Sequence, residues 1–188
     1  MPSLCKELSG EINENQSIVS VAAGIKYESL KNSLPTKKIF RAMPNVGAKD
    51  NLGITAIFSN TDNTEVLEIF KFLGEAYEVE NEDQVDLHTV LIGSGPAFFY
   101  ELLSEFEKRM DALVQEKDVK RLISIVFLSS LITSIKNGES LEDLIESVAS
   151  KGGTTEAGLN YLYKEKFNEI FSGAVDAGVK RAKELSMD

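Results

Sequence analysis

The residues of this sequence best suited to chemistry sit in backbone-rich turns rather than on ionisable side chains. Ser150-Lys151-Gly152-Gly153-Thr154-Thr155 stands directly before a helical run with Glu156 in its first turn. The first N–H groups of a helix have no intrahelical partner, and adjacent glycines admit close approach. This turn can therefore hold a small carboxylate or phosphate, with two hydroxyls as further donors. The same residues also suit a plain helix-to-helix turn, in which glycine relieves strain and threonine caps the next helix. Gly93-Ser94-Gly95-Pro96-Ala97 lies between two apolar helical segments, with Pro96 at a first helical position, and a tight bend accounts for it without a ligand. Arg41 followed by Met43-Pro44-Asn45 puts polar groups at the end of an apparent parallel strand, the edge at which open α/β sheets bind ligands. A solvated strand end is the alternative reading there.

Ionisable candidates are few. His88, the single histidine, falls in an expected helix beside Val85, Leu91 and Ile92, where a packed or surface role is more economical than catalysis. The single cysteine, Cys5, lacks an activating neighbour, closes no intrachain disulfide and completes no Cys/His zinc site. No metal is expected, and a reducing, cytoplasmic setting fits. The 188 residues carry 30 Asp and Glu against 20 Lys and Arg, a formal charge of −10, and this field repels phosphate backbones and argues against a nucleic-acid partner. The start of the chain has neither the basic residues nor the apolar run of a signal peptide, and no apolar stretch reaches the ~20 residues of a membrane span. Any reaction must therefore rest on backbone, hydroxyl, carboxylate and cofactor.

The elements that would position these turns change character along the chain. A helix is expected over 3–14, then a short β-branched run, Ser17 to Ala22, of the kind covered on both faces in a parallel sheet. A helix at 27–32, a strand at 38–43 stopped by Pro44, a strand at 54–58, a helix at 62–73 ended by Gly74 and a strand at 77–79 complete an α/β portion. From Asn81 the periodicity is helical, with helices at 83–92, 95–113, 117–137, 140–147, 154–163 and 166–186. The acid-rich run Glu139 to Glu146 reads as a solvated helix face. Phe98, Phe99, Tyr100 and Phe106 read as core or an inter-subunit face. The fold class is α/β plus all-α: a partial Rossmann-like parallel sheet over 1–82, then an all-helical dimerisation and substrate-binding domain over 83–188.

Four segments in order carry a resemblance. Val19-Ser20-Val21-Ala22-Ala23-Gly24, Arg41-Ala42-Met43-Pro44-Asn45, Gly93-Ser94-Gly95-Pro96-Ala97-Phe98 and Val148-Ala149-Ser150-Lys151-Gly152-Gly153-Thr154-Thr155, with an ending like Ala174 to Leu185, resemble the pyrroline-5-carboxylate reductases over nearly the whole chain. That resemblance implies reduction of the ring imine of 1-pyrroline-5-carboxylate to L-proline with NADPH or NADH. It also implies a Rossmann domain followed by a helical domain through which subunits form a homodimer or higher oligomer.

By the same resemblance, the amides of Gly152, Gly153 and Thr154 hold the substrate carboxylate, and Thr155 is the catalytic residue, hydrogen-bonded to the ring nitrogen. Met43, Pro44 and Asn45 approach the nicotinamide half of the cofactor, and Ser94, Gly95 and Pro96 line the substrate pocket near the subunit interface. A protonated imine is already electrophilic, so little beyond positioning is required.

The departures are specific. No Gly-x-Gly-x-x-Gly occurs in the sequence, and about 80 to 90 residues of the first mononucleotide-binding half are expected to be missing. Lys151 replaces the family's proline, Ile92 a serine and Phe98 a tyrosine. The alternative to a reductase is a non-catalytic remnant that acts as a dimerisation or proline-binding module. An uncovered sheet edge leads us to expect 83–188 to be the better ordered part and 1–80 the less stable.

Overall fold

The computed structural model describes residues 2–110, 112, 113 and 116–185. They fall into two compact units, one running to Pro96 and taking in the chain from Ala174 onward, the other Ala97–Gly173.

In the first unit α1 (Pro2–Ser9), β1 (Ile18–Ser20), α2 (Tyr27–Ser33), β2 (Ile39–Pro44), a 3-10 turn (Val46–Asp50), β3 (Gly53–Phe58), α3 (Thr64–Lys71), β4 (Gly74–Glu78) and α4 (Glu82–His88) follow in order. The four strands form one sheet in the order β1-β2-β3-β4. β1 with β2 and β3 with β4 are parallel, as expected, each pair joined by a helix, whereas β2 and β3 are antiparallel. Connection length explains the exception to the expected parallel sheet: residues 45–52 form a short turn, and a parallel crossover needs a dozen residues or more.

Both faces of the sheet are covered. Ile39, Ala56 and Phe58 point to one side with Tyr27, Leu30, Leu34, Val79 and Val85, while Phe40, Ala42 and Ile57 point to the other with Val66 and Phe70. This is the period-2 alternation of strands between two helical layers. Gly74 opens β4 rather than ending α3, which already stops at Lys71. Its φ of 134° is open to glycine, and a Cβ there would strike the backbone of Gly53 on the neighbouring strand. The helix expected over 3–14 stops at Ser9, before Gly10.

After α4 come a π-helical turn (Thr89–Ser94), α5 (Gly95–Met110), α6 (Glu116–Asn137), α7 (Leu141–Val148), α8 (Thr154–Lys164) and α9 (Phe167–Leu185). Residue 111, within the helix expected over 95–113, and residue 186, the last of the helix expected over 166–186, lie outside the described residues. The acid-rich run forms α7, opened by a capping box in which Ser140 and Asp143 satisfy each other's backbone N–H, and its acidic residues are exposed as expected.

Burial is distributed against the expected order of stability. Val119 and Ile123 are the buried apolar residues after Pro96 among the described residues, whereas the sheet closes two cores within a single chain. The helices of the second unit instead leave Phe99 58%, Leu131 60% and Ile135 80% exposed. The sheet is complete enough to hold its own layers, and the helical unit lacks a second apolar face to close on.

Candidate functional site

Met43 and Pro44 end β2 and Asn45 follows it, all three half-buried; the strand expected over 38–43 with Pro44 as its stop runs through Pro44 instead. The ladder with β3 runs out at Pro44, which pairs with Thr55. Asn45 then starts the 3-10 turn, and its Oδ1 accepts the N–H of Ile54 at 3.0 Å. The side-chain NH2 of Asn45 is left without a described partner.

Ser94, Gly95 and Pro96 do not form the bend that their sequence suggested. The π turn passes directly into α5 with Gly95 in helical backbone. Proline removes one helical N–H and crowds the carbonyl four residues back, here that of Ile92, and a widened turn accommodates both effects without a break. Ser94 is exposed and Gly95 buried. The turn is brought against β2: a Cβ on Gly93 would lie 3.8 Å from Met43 Cε.

Arg41 is buried rather than placed at a solvated strand end. Its Nη1 donates to Glu82 Oε1 at 2.5 Å, Nη2 lies 4.0 Å from Asp86 Oδ1, and the side chain is buried. Glu82 also accepts the N–H of Tyr27 at 2.7 Å, so this one carboxylate ties α2, β2 and α4 together. Burial pushes the Asp86 carboxyl above its ordinary value, opposed by Arg41, and its Oδ2 has no partner. The available signal was the four-residue spacing of Glu82 and Asp86, which places both on one helix face.

His88 is packed, as expected, but not idle. It is 3% exposed, and its Nδ1 lies 2.7 Å from the hydroxyl of Tyr77, a residue the sequence reading passed over. Tyr77, Val79, Gln84, His88, Leu91 and Ile92 border a cavity of about 420 Å³. Cys5 is buried and free.

In the second unit, the Ser150 to Thr155 turn spends within itself two of the amides expected to hold a carboxylate, those of Gly152 and Gly153. Gly152 has φ of 74°, and a Cβ on Gly153 would strike Ser150, so both glycines are required by the turn. Gly153 is the N-cap of α8, with no side-chain cap, so threonine does not cap this helix. The Gly153 N–H donates to Ser150 O at 2.9 Å, and the Gly152 N–H donates to Glu156 Oε2 at 2.7 Å. Thr154 and Thr155, in the first turn, keep amides that no intrahelical carbonyl can meet, and both residues are exposed.

A separate apolar groove of about 570 Å³ in this unit is bordered by Phe99, Phe127, Leu131, Leu144 and Ile145. Phe98 meets Phe171 edge to face with centroids 6.0 Å apart, and Phe106 meets Phe127 at 5.3 Å. Among the described residues no cluster of His, Cys, Asp and Glu could hold a metal ion. No helix among them is long and apolar enough to cross a membrane.

Comparison with known proteins places this geometry in a family. Residues 82–185 match the model for pyrroline-5-carboxylate reductase dimerisation. The pyrroline-5-carboxylate reductase of Staphylococcus haemolyticus is 34% identical over 93% of this chain and 67% of its own length. Pyrroline-5-carboxylate reductase 1 of Bacillus subtilis is 34% identical over 96% of this chain and 63% of its own. The chain therefore spans about two thirds of the curated relatives it matches. Among solved structures, the pyrroline-5-carboxylate reductase of Coxiella burnetii superimposes with a TM-score of 0.85 at 28% identity, covering 98% of this chain and 72% of that one. The pyrroline carboxylate reductase of Plasmodium falciparum, solved with NADP bound, gives a TM-score of 0.90 at 22% identity, covering 98% and 77%.

Proposed function

Because the chain belongs to the family of pyrroline-5-carboxylate reductases, we propose that it acts in proline biosynthesis, in the reduction of the ring imine of 1-pyrroline-5-carboxylate to L-proline. The observation that carries this reading is the start of α8, where open amides and hydroxyls of Thr154 and Thr155 stand beside two glycines. A carboxylate placed there accepts charge-assisted hydrogen bonds and meets the positive end of the helix dipole, each bond contributing about 1.5–3 kcal/mol. Gly152 and Gly153 shape the cradle and let the ligand approach, Thr154 gives its N–H to the carboxylate, and the Thr155 hydroxyl meets the ring nitrogen and holds its proton. Ser94, Gly95 and Pro96 would border the ring.

The end of β2 fits the nicotinamide half of NADPH or NADH, since Asn45 has a free amide NH2 beyond the last ladder pair. The sequence offers no Gly-x-Gly-x-x-Gly turn for the pyrophosphate. Hydride for the imine carbon is the chemistry that a bound nicotinamide cofactor supplies. The chain's own residues bind the acid, orient the ring and keep the nitrogen protonated, and no histidine or cysteine is needed for that. The exposed apolar helices support a second copy of the chain as partner, with 1–82 and 83–188 as the sheet and the dimerising portions.

The test is oxidation of NADPH or NADH by the purified chain with 1-pyrroline-5-carboxylate, alongside proline binding by calorimetry. Turnover lost in Thr155→Val and retained in Thr155→Ser supports the assignment. Proline binding without turnover in any preparation would reduce the protein to a binding module.

A further inference from the structure

β1 stops short of its neighbour in the sheet. Its last residue, Ser20, pairs with Arg41, whereas β2 runs on through Ala42 and Met43 to Pro44. Residues 21–24 therefore leave the ladder while β2 continues, at the carboxyl ends of two parallel strands, where open α/β sheets take ligands. Little within these residues holds their shape. The Ala22 N–H reaches Ser20 Oγ at 3.4 Å, a long bond, and Val21 is 57% exposed. Gly24 adopts φ of 72°, which glycine alone reaches at no steric cost.

What meets this loop is α9. A Cβ on Gly24 would lie 3.0 Å from Leu185 Cβ, 3.1 Å from the Leu185 carbonyl oxygen and 3.2 Å from its carbonyl carbon. The last turn of the helix is thus seated on the glycine at backbone distance. Two turns earlier, α9 meets the π turn: a Cβ on Gly178 would lie 2.7 Å from Cγ1 of the buried Val90. Seven residues separate Gly178 from Leu185, which puts both on one face of α9. Val175, Gly178, Val179 and Ala182, the partly buried residues between Ala174 and Leu185, mark the same face. Although 82–185 match the dimerisation model, the chain from Ala174 onward belongs to the sheet unit.

A loop free to sample other shapes binds a ligand with the entropy of its own ordering set against it, and a backstop at Gly24 removes part of that cost. We propose that the last turn of α9, docked through Gly178, is a strap on residues 21–24. Leu185 is its positioning residue, holding the loop in the form that meets the nicotinamide half of the cofactor beside Met43-Pro44-Asn45. The strap rests on the functional reading above for the identity of its ligand.

The test uses the full chain, with amide exchange and ligand titration on the same samples. Leu185→Gly removes the Cβ that meets Gly24 and softens the last turn, whereas Leu185→Ala keeps both. Gly178→Ala drives a methyl group into Val90 while raising helix propensity. In Leu185→Gly and Gly178→Ala the amides of 21–25 should exchange about tenfold faster or more, with those of 39–44 and 54–58 unchanged. NADPH binding by fluorescence titration should weaken about tenfold and proline binding stay within about twofold. Leu185→Ala should match the parent in each readout. Exchange that is unchanged over 21–25, or faster through the whole sheet, overturns the strap. So does NADPH binding that is unchanged, or that weakens together with proline binding. If the parent binds no NADPH, the reading of the β2 end as a cofactor site fails by itself. Exchange then decides the strap: acceleration confined to 21–25 sustains it, and its absence overturns it.

Discussion

The carboxylate of Glu156 reaches back across the first turn of α8 to accept the N–H of Gly152 at 2.7 Å. The proposed carboxylate site thus carries a negative charge of its own, which stabilises the helix start and would compete with an incoming carboxylate. Glu156→Gln keeps an acceptor for Gly152 but removes the charge. It should bind proline about two- to fivefold more tightly and cost the helix about 0.3–1 kcal/mol. Calorimetric titration with proline at low salt, beside a thermal melt, measures both. Weaker proline binding in Glu156→Gln would mean that the cradle needs the charge to keep its shape.

Arg41 makes a different kind of prediction, because it is buried while paired with the partly exposed Glu82. Removing one member of such a pair strands the other in the interior, at about 3–5 kcal/mol. Arg41→Ala strands both Glu82 and Asp86 and should be the more damaging change, whereas Asp86→Asn removes a carboxylate whose charged form burial already disfavours and should be close to neutral. Urea midpoints rank the three. An Arg41→Ala midpoint equal to that of the parent would mean that the pair contributes nothing to the packing of α2, β2 and α4.

His88 gives the stability of the chain a pH dependence with a definite sign. Its native pKa is lowered from 6.5 by burial, so the unfolded chain takes up the proton first as the pH falls. Stability is full above 6.5 and declines as the pH drops from there toward the depressed native value. Since the chain has one histidine, the slope over about pH 6.5 to 5 should flatten in His88→Gln. Asp86, pushed upward, adds the opposite trend: its stabilisation is present below 3.8 and lost as the pH rises through its raised native value. Denaturant midpoints across this range, measured for the parent and for His88→Gln, check the assignment, and parallel slopes would refute it.

The strands and helices were legible because their signals are local. The β-branched run at 17–22 and the apolar spacing of Val66, Leu67 and Phe70 each declare a period within a few residues. The antiparallel β2–β3 pair was legible in principle from the eight residues 45–52, which are too few for a crossover, but composition alone suggested uniform parallel pairing. Pro96 misled because proline ordinarily marks a start, and a widened turn that carries it through is a tertiary solution with no local signature. Of the candidate site, the glycines and threonines at 152–155 were readable from helix-terminus physics. The Arg41–Glu82 and Tyr77–His88 pairs were not, since each joins elements whose meeting is decided by the sheet order.

The helical unit offers the last prediction. On α6, Leu128, Leu131, Ile132 and Ile135 recur at helical spacing and are 40–80% exposed in the single chain. Such a stripe suits one half of a two-fold interface, in which each residue would be buried twice. Fully burying a leucine contributes about 1.5–3 kcal/mol, so one polar substitution removes about twice that from a two-fold interface. Leu131→Asp should therefore weaken association by a factor of about a hundred or more, which sedimentation at micromolar concentration will register as a shift to monomer. The parent's melting temperature should rise with protein concentration, and that of Leu131→Asp should not. The transition lost first in the variant should be that of the helical unit, because the sheet closes its cores within one chain. Amide exchange that stays slow over 39–58 while 117–148 exchanges quickly would confirm the order, and equal protection in the two regions would show that the helices hold together without a partner.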